Sequence, residues 1–426
     1  MTVEQVRFRF LFLLGLRWFP VGLTIPVLVL LPIERGLSIA QVGAVAAIQG
    51  ITVLVLELPT GGLSDAVGRR PVLLIAGVVN LASLAIWTFA DSVAFFAAAY
   101  LLQGVYRALD SGPLEAWFVD HALAADPKAD IEGGLARSGV VLGLAIAGAA
   151  LISGGLVWLG PIGPVSALTV PVCVALVVSA LGTLAVALLM HEERPARGVA
   201  AFAASVRGVP AAIGGALRLA RRSRVVMALM AVELFWSFGM VTFEKLVALR
   251  LSEVTSSEAA GALLGPVNSV AWAASAAGAA LVPLLTRRIG AAWSGFTLKI
   301  VQGVTIVGMG LFAGPAGVIG AFLLCYAIHG AANPVHAGLL HRQAEGEYRT
   351  SLLSLNSMVG QPGFALGAIV LTAVAASAGT PTAIVVGGVV LAAAAPLYLI
   401  RSKEVFREHS QTGTSRSLAL DSPGGT

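Results

Sequence analysis

The stretch Gly61–Arg70, GGLSDAVGRR, followed at once by Pro71, lies between two long apolar runs, Ala40–Pro59 and Val72–Ala90. Apolar runs of about 20 residues are long enough to cross a bilayer, so the stretch reads as a tight polar turn between two membrane helices. Its glycines allow positive φ and close helix approach. Asp65 is an anion suited to a helix N-terminus or to arginines at the membrane face. Arg69 and Arg70 mark that face as cytoplasmic, because short inner loops collect Lys and Arg.

Composition supports the membrane reading. The chain is 57% hydrophobic and only 12% charged, with mean hydropathy +0.89. Soluble domains average about 25% charged residues, so most of this chain is not in water. A net charge of +5 would suit a nucleic-acid binder, but the arginines stand at the ends of apolar runs and read as topology signals instead. No nucleic acid is expected as a partner. Cys173 and Cys325 both lie in apolar runs and suggest neither a disulfide framework nor a metal site. The Arg-over-Lys bias and the abundance of Ala, Gly and Val are the composition of a bacterial chain.

The spacing G-x-L-x-D-x-x-G-R-R, carried by Gly61, Leu63, Asp65, Gly68, Arg69 and Arg70, resembles the signature loop between helices 2 and 3 of the major facilitator superfamily. The rest of the chain follows that plan. Apolar runs alternate with short loops, and His191–Arg224, rich in arginine, interrupts the rhythm near the middle with about six spans on either side. Such a repeat is the sign of two homologous halves. The expected fold is therefore an all-α membrane protein of twelve transmembrane helices in two pseudo-symmetric six-helix halves. The halves are residues 1–190 and 225–401, joined by a cytoplasmic linker, 191–224, and followed by a disordered cytoplasmic tail, 402–426. The loop near Gly290 occupies the place of the first turn, with Arg287 where Asp65 stands. Both termini are expected in the cytoplasm and the chain in the inner membrane as a monomer.

Charged residues inside spans are costly and mark function. Arg17 admits two readings, a cavity-facing cation or a side chain snorkelling to the interface. Arg107 and Asp110 are three residues apart, hence neighbours on one helix face. Glu115 and Asp120 follow at the inner end of the same span, and Glu57 stands one turn before the turn sequence, within reach of a loop arginine. Glu233 lies near the centre of its span, and Glu244 follows eleven residues later, on the same face. Lys299 reads as a snorkelling lysine. The Gln103-Gly104 pair resembles the family's fourth-helix motif, but Tyr100 stands where that motif has arginine. The fifth span carries Gly154 and Gly155 as in the antiporter subset, with Ala150-Leu151 in place of its Gly-Pro.

The resemblance implies a transporter, not an enzyme, that rocks its halves around a site between helices 1, 4, 7 and 10. On those helices Arg17, Trp18, Tyr106, Arg107, Trp236, Asn333 and His336 are the candidate substrate contacts. Asp110 and Glu233 are the candidate proton carriers. Glu57, Glu115 and Asp120 are the candidate partners of the signature loop in a charge network. No Gly-x-x-x-x-Gly-Lys-Ser/Thr loop is present, so neither ATP nor any other cofactor is expected. The leading expectation is a proton-driven exporter of drug-like or secondary-metabolite molecules; the alternatives are a proton-coupled importer of a small nutrient and a non-transporting sensor.

Overall fold

Ser38 begins the second helix as its sequence suggests. Its hydroxyl accepts from the Gln41 amide at 3.3 Å and Gln41 Oε1 accepts from the Ser38 amide at 2.8 Å, a reciprocal cap. The structure is a computed structural model that describes residues 1–192, 223–343 and 348–400, with 207, 214, 218 and 221. The side chains of 58, 59, 61, 62, 65, 66, 132, 136 and 348–354 lie outside that description, as do almost all of the expected linker and the tail.

Among the described residues the chain forms helices and no strand. The first six are α1 (Val3–Thr24), α2 (Ile39–Val67), α3 (Arg69–Phe89), α4 in two pieces (α4a, Val93–Asp110; α4b, Pro113–Ala125), α5 (Ile131–Trp158) and α6 (Val170–Leu189). The second six are α7 (α7a, Arg224–Val241; a π turn, Thr242–Leu246; α7b, Val247–Val254), α8 (α8a, Ser257–Ala280; α8b, Val282–Ile289), α9 (Ala291–Leu311), α10 (Pro315–His341), α11 (Tyr348–Ala378) and α12 (Thr380–Ala393). Eleven of these are long and apolar enough to cross a membrane. The twelfth, α4a, falls short because Gln103, Arg107 and Asp110 dilute its apolar sequence.

Helix packing carries the internal repeat. Within the first half α1 packs on α5 and α6, α4a on α2 and α3, and α3 on α6. Each contact recurs six helices later: α7 on α11 and α12, α10 on α8 and α9, and α9 on α12. The halves meet through α2 with α11 and α5 with α8, again a symmetric pair. The α5·α8 crossing depends on Gly154 and Gly265. A side chain at Gly265 would sit 2.5 Å from the Ala150 carbonyl oxygen, so only glycine admits this approach.

The expected turn is smaller than its sequence suggests. Gly61–Val67 belong to α2, and the reversal is made at Gly68 alone, with φ 106°. Gly290, φ 78°, makes the equivalent reversal between α8b and α9. The fourth span, read from sequence as one helix carrying Arg107 through Asp120, is also broken. Ser111 and Gly112 interrupt it, and Pro113, which has no amide hydrogen to donate, restarts it at a first-turn position.

The alternation of helices places Arg9, Arg69, Arg70, Arg137, Arg224 and Arg288 at one end of the bundle, here the basic end. At the opposite end a single apolar cluster joins the halves, with Leu23, Val27, Leu31 and Phe96 from the first and Val241, Phe243, Leu246 and Leu371 from the second. At the basic end each half keeps its own core, around Phe10, Trp117 and Val186 in one and Leu229, Leu340 and Leu355 in the other. A cleft between the halves therefore opens toward the basic end and is sealed at the other. Arg107, Glu244 and Asn333, all inside helices, are exposed to it.

Candidate functional site

The turn at Gly68 is tied to its own half. Arg69 Nη1 lies 2.5 Å from Asp120 Oδ2 and donates to the Ala116 carbonyl of α4b. Arg70 donates to the Ala187 carbonyl at 2.7 Å. The carboxylate of Glu192 accepts from the amides of Arg69 and Arg70, both at 2.9 Å, neutralising the free N–H groups that begin α3. Of the candidate network, Arg69 and Asp120 come together. Glu115 is exposed and pairs with no residue described. The Asp65 side chain lies outside the described residues. Leu63 packs against the cluster of Val72, Ala76, Tyr106 and Leu109. Glu57 faces the second half instead of a loop arginine and accepts from Ser357 Oγ of α11 at 3.4 Å. Its helical position turns it toward α11.

A second group sits inside the first half. Arg17 of α1 is buried and pairs with Asp110 of α4a. Its guanidinium also lies 5.9 Å from the Tyr106 ring centroid, within reach of a cation–π contact. The snorkelling reading of Arg17 is thereby excluded. Arg107 and Asp110, neighbours on one helix face, do not pair with each other. Asp110 turns toward α1, whereas Arg107 turns into the cleft. Trp18 and Tyr106 do not line the cleft either: Trp18 packs on the basic-end core of the first half, and Tyr106 is buried against α3.

A third group fills the second half. Glu233 Oε2 lies 3.7 Å from His336 Nε2. His336 is also 3.2 Å from Asn356 Oδ1 and 2.9 Å from the Tyr398 hydroxyl. Lys299 of α9 is 3% exposed, which overturns its snorkelling role. Its ammonium reaches Gln302 at 3.5 Å and the Trp236 ring at 5.4 Å. Trp236 stacks on His329 at 5.4 Å, and His329 bonds Asn333 at 3.2 Å. Glu233 and Glu244 do share a face: Glu233 meets His336 and Glu244 accepts from Tyr326 at 3.0 Å, both on α10.

Sequence reading missed Glu192, Lys299, Tyr398 and Asn356. For Lys299 the signal was present: a lysine eight residues into a span is too deep for its head to reach water without a cavity.

The Major Facilitator Superfamily matches residues 10–332. No curated protein matches the chain by sequence. Among solved structures, the nucleoside transporter NupG aligns with TM-score 0.75 at 14% identity over 93% of this chain and 99% of its own. A bacterial homologue of the human lysosomal transporter Spinster, in an inward-facing and occupied conformation, aligns with TM-score 0.74 at 14% identity, covering 93% and 96%. A bacterial homologue of the human drug peptide transporters PepT1 and PepT2 aligns with TM-score 0.68 at 14% identity, covering 94% and 98%. At such identities the likeness is one of fold. With the family match spanning most of the chain and the twelve-helix repeat on the page, the chain belongs to the Major Facilitator Superfamily and is a multi-pass membrane transporter.

Proposed function

We propose that the chain is a proton-coupled secondary transporter that exports drug-like or secondary-metabolite molecules by alternating access. The observation that carries the proton coupling is that each half holds a carboxyl against a basic side chain within its spans: Asp110 with Arg17, and Glu233 beside His336. An acid at such depth is tolerated when paired or protonated, and exchange between those two forms as the cleft changes side is what coupling requires. The signature sequence at Gly68 and the Gly154 crossing of the fifth helix support the export direction. The division into residues 1–190, 191–224, 225–401 and 402–426, the cytoplasmic termini, the bacterial inner membrane and the monomeric state belong to the same proposal.

Import of a small nutrient is the second reading, favoured by Ala150-Leu151 in place of Gly-Pro. Inside-out vesicles separate the two, after a panel of cytotoxic compounds on a hypersensitive host has supplied a substrate. An exporter loads such vesicles with that substrate when their interior is acidified, and an importer empties them.

A further inference from the structure

His336 of α10 is held at both ring nitrogens. Its Nε2 faces two oxygen atoms, Asn356 Oδ1 at 3.2 Å and Glu233 Oε2 at 3.7 Å. Its Nδ1 lies 2.9 Å from the hydroxyl of Tyr398. In a neutral imidazole one nitrogen donates and the other accepts. Two oxygens at Nε2 call for the hydrogen there, so Nδ1 is the acceptor and the Tyr398 hydroxyl donates to it.

Tyr398 is brought to this place by the way α12 ends. Pro396 has no amide hydrogen to continue an α-helix, and the chain tightens into a 3-10 turn, Ala395–Leu399. The Tyr398 ring, 4% exposed, packs in the core of Val226, Leu229, Leu340 and Leu355. It also lies against Gly295 of α9, where an added side-chain carbon would sit 2.6 Å from the ring. The ring is therefore fixed, and the O–H bond alone is free to turn.

Protons can reach the pair, since 11% of the His336 side chain and 16% of the Glu233 side chain stay exposed. A proton added from water to the neutral ring has one place to go. It forms an N–H bond at Nδ1, and the resulting imidazolium carries hydrogen on both nitrogens. The Tyr398 hydroxyl must then rotate from donor to acceptor, while Nε2–H keeps facing Glu233. Release of the proton to water reverses both changes. Other charged or titratable groups on the surrounding helices are turned elsewhere. Lys299 of α9 directs its ammonium to Gln302 and Trp236, and His329, two turns away on α10, stacks on Trp236. His341, Arg287 and Arg288 stand exposed at the basic end. On α7, Arg224 and Glu244 lie more than two helical turns from Glu233 on either side. The described side chains of α11 and α12 include no charged group. Glu233 and Tyr398 are thus the titratable groups that meet the ring.

We propose that Tyr398 is the positioning residue for the coupling proton in the second half: its hydroxyl, by turning from donor to acceptor at Nδ1, sets how firmly the Glu233–His336 pair holds that proton. The inference rests on the proton-coupled reading for its part in transport and is independent of direction. A hydrogen bond to a charged group is stronger than one between neutral groups. The hydroxyl therefore favours the imidazolium, and its loss makes the proton easier to release.

The test follows the ring nitrogens of His336 by nitrogen NMR of the purified full-length protein, isotopically labelled at histidine, with His336→Gln identifying the signals. Wild-type protein should show the neutral ring with hydrogen on Nε2 and a protonation midpoint between about pH 4 and pH 9. Tyr398→Phe, which keeps the packed ring, should move that midpoint down by about half to one pH unit. The pH profile of gradient-driven flux should move the same way. Hydrogen on Nδ1 in the neutral wild-type ring would overturn the assignment, as would a ring that does not titrate in that range. An unchanged midpoint in Tyr398→Phe would overturn it too. The tautomer is read on wild-type protein and stands even if Tyr398→Phe does not fold. A shifted midpoint in a protein whose flux ignores the pH gradient removes the proton coupling and keeps the control of the ring by Tyr398. Gradient-driven flux with an unchanged midpoint does the reverse.

Discussion

Asp110 on α4a takes its ion pair from Arg17 on α1, and not from Arg107 one turn away on its own helix. The pair links two helices of the same half, with Arg17 buried and Asp110 largely so. Removing one partner of a buried pair leaves an uncompensated charge and costs about 3–5 kcal/mol. Asp110→Asn and Arg17→Gln should each lower the thermal midpoint in detergent, whereas the double variant should lose less than their sum. Additive losses would mean that the two groups do not act as a pair.

Proton coupling is tested on Asp110→Asn and Glu233→Gln by comparing gradient-driven flux with solute exchange at equal pH. Each amide variant should lose the first and keep the second, because an amide cannot carry a proton through the cycle. If both still move solute uphill, the coupling group is elsewhere, and Glu57 is the next to substitute.

At the basic end, Asp120→Asn removes the acceptor of Arg69 and Glu192→Ala uncovers the two amides that begin α3. The second change should cost about 0.5–2 kcal/mol, the range of a lost helix cap. Asp65→Asn and Asp120→Asn should both depress transport sharply without affecting insertion, if the turn holds the cytoplasmic side closed during the cycle. Wild-type flux in both would remove that role.

The α5·α8 crossing offers a steric test. Gly265→Ala places a methyl against the backbone of α5, and Gly155→Ala, whose added carbon would meet nothing within 4 Å, is its control. The first should slow transport about tenfold or more at normal abundance, and the second should not. Equal behaviour of the two would show that the crossing tolerates separation.

The parts of this architecture that reside in local sequence were legible. Gly68 and Gly290 announce reversals because only glycine takes those backbone angles freely, and Ser38 announces a helix start. The pairing of charges was not legible. Arg107 and Asp110 share a helix and satisfy the three-residue rule, yet the partner of Asp110 lies 93 residues away in sequence. Which of two neighbouring arginines an aspartate meets is decided by how α1 and α4a are rotated, and rotation is set by packing on α2, α3 and α5. Trp18 shows the same limit: it is on a cleft helix but on the face that packs within its own half. The π turn at Thr242–Leu246 leaves no periodic trace in the sequence either.

The single apolar cluster that joins the halves at the opposite end has a thermal consequence. Any motion that opens that end must part Leu31, Val42 and Phe96 from Val241, Phe243 and Leu246 and wet them. Wetting apolar surface raises the heat capacity, and the resistance to it fades on cooling. Cold should therefore shift the population toward the state open at that end, so that labelling of a cysteine placed beside Val42 becomes faster relative to one at the basic end as temperature falls.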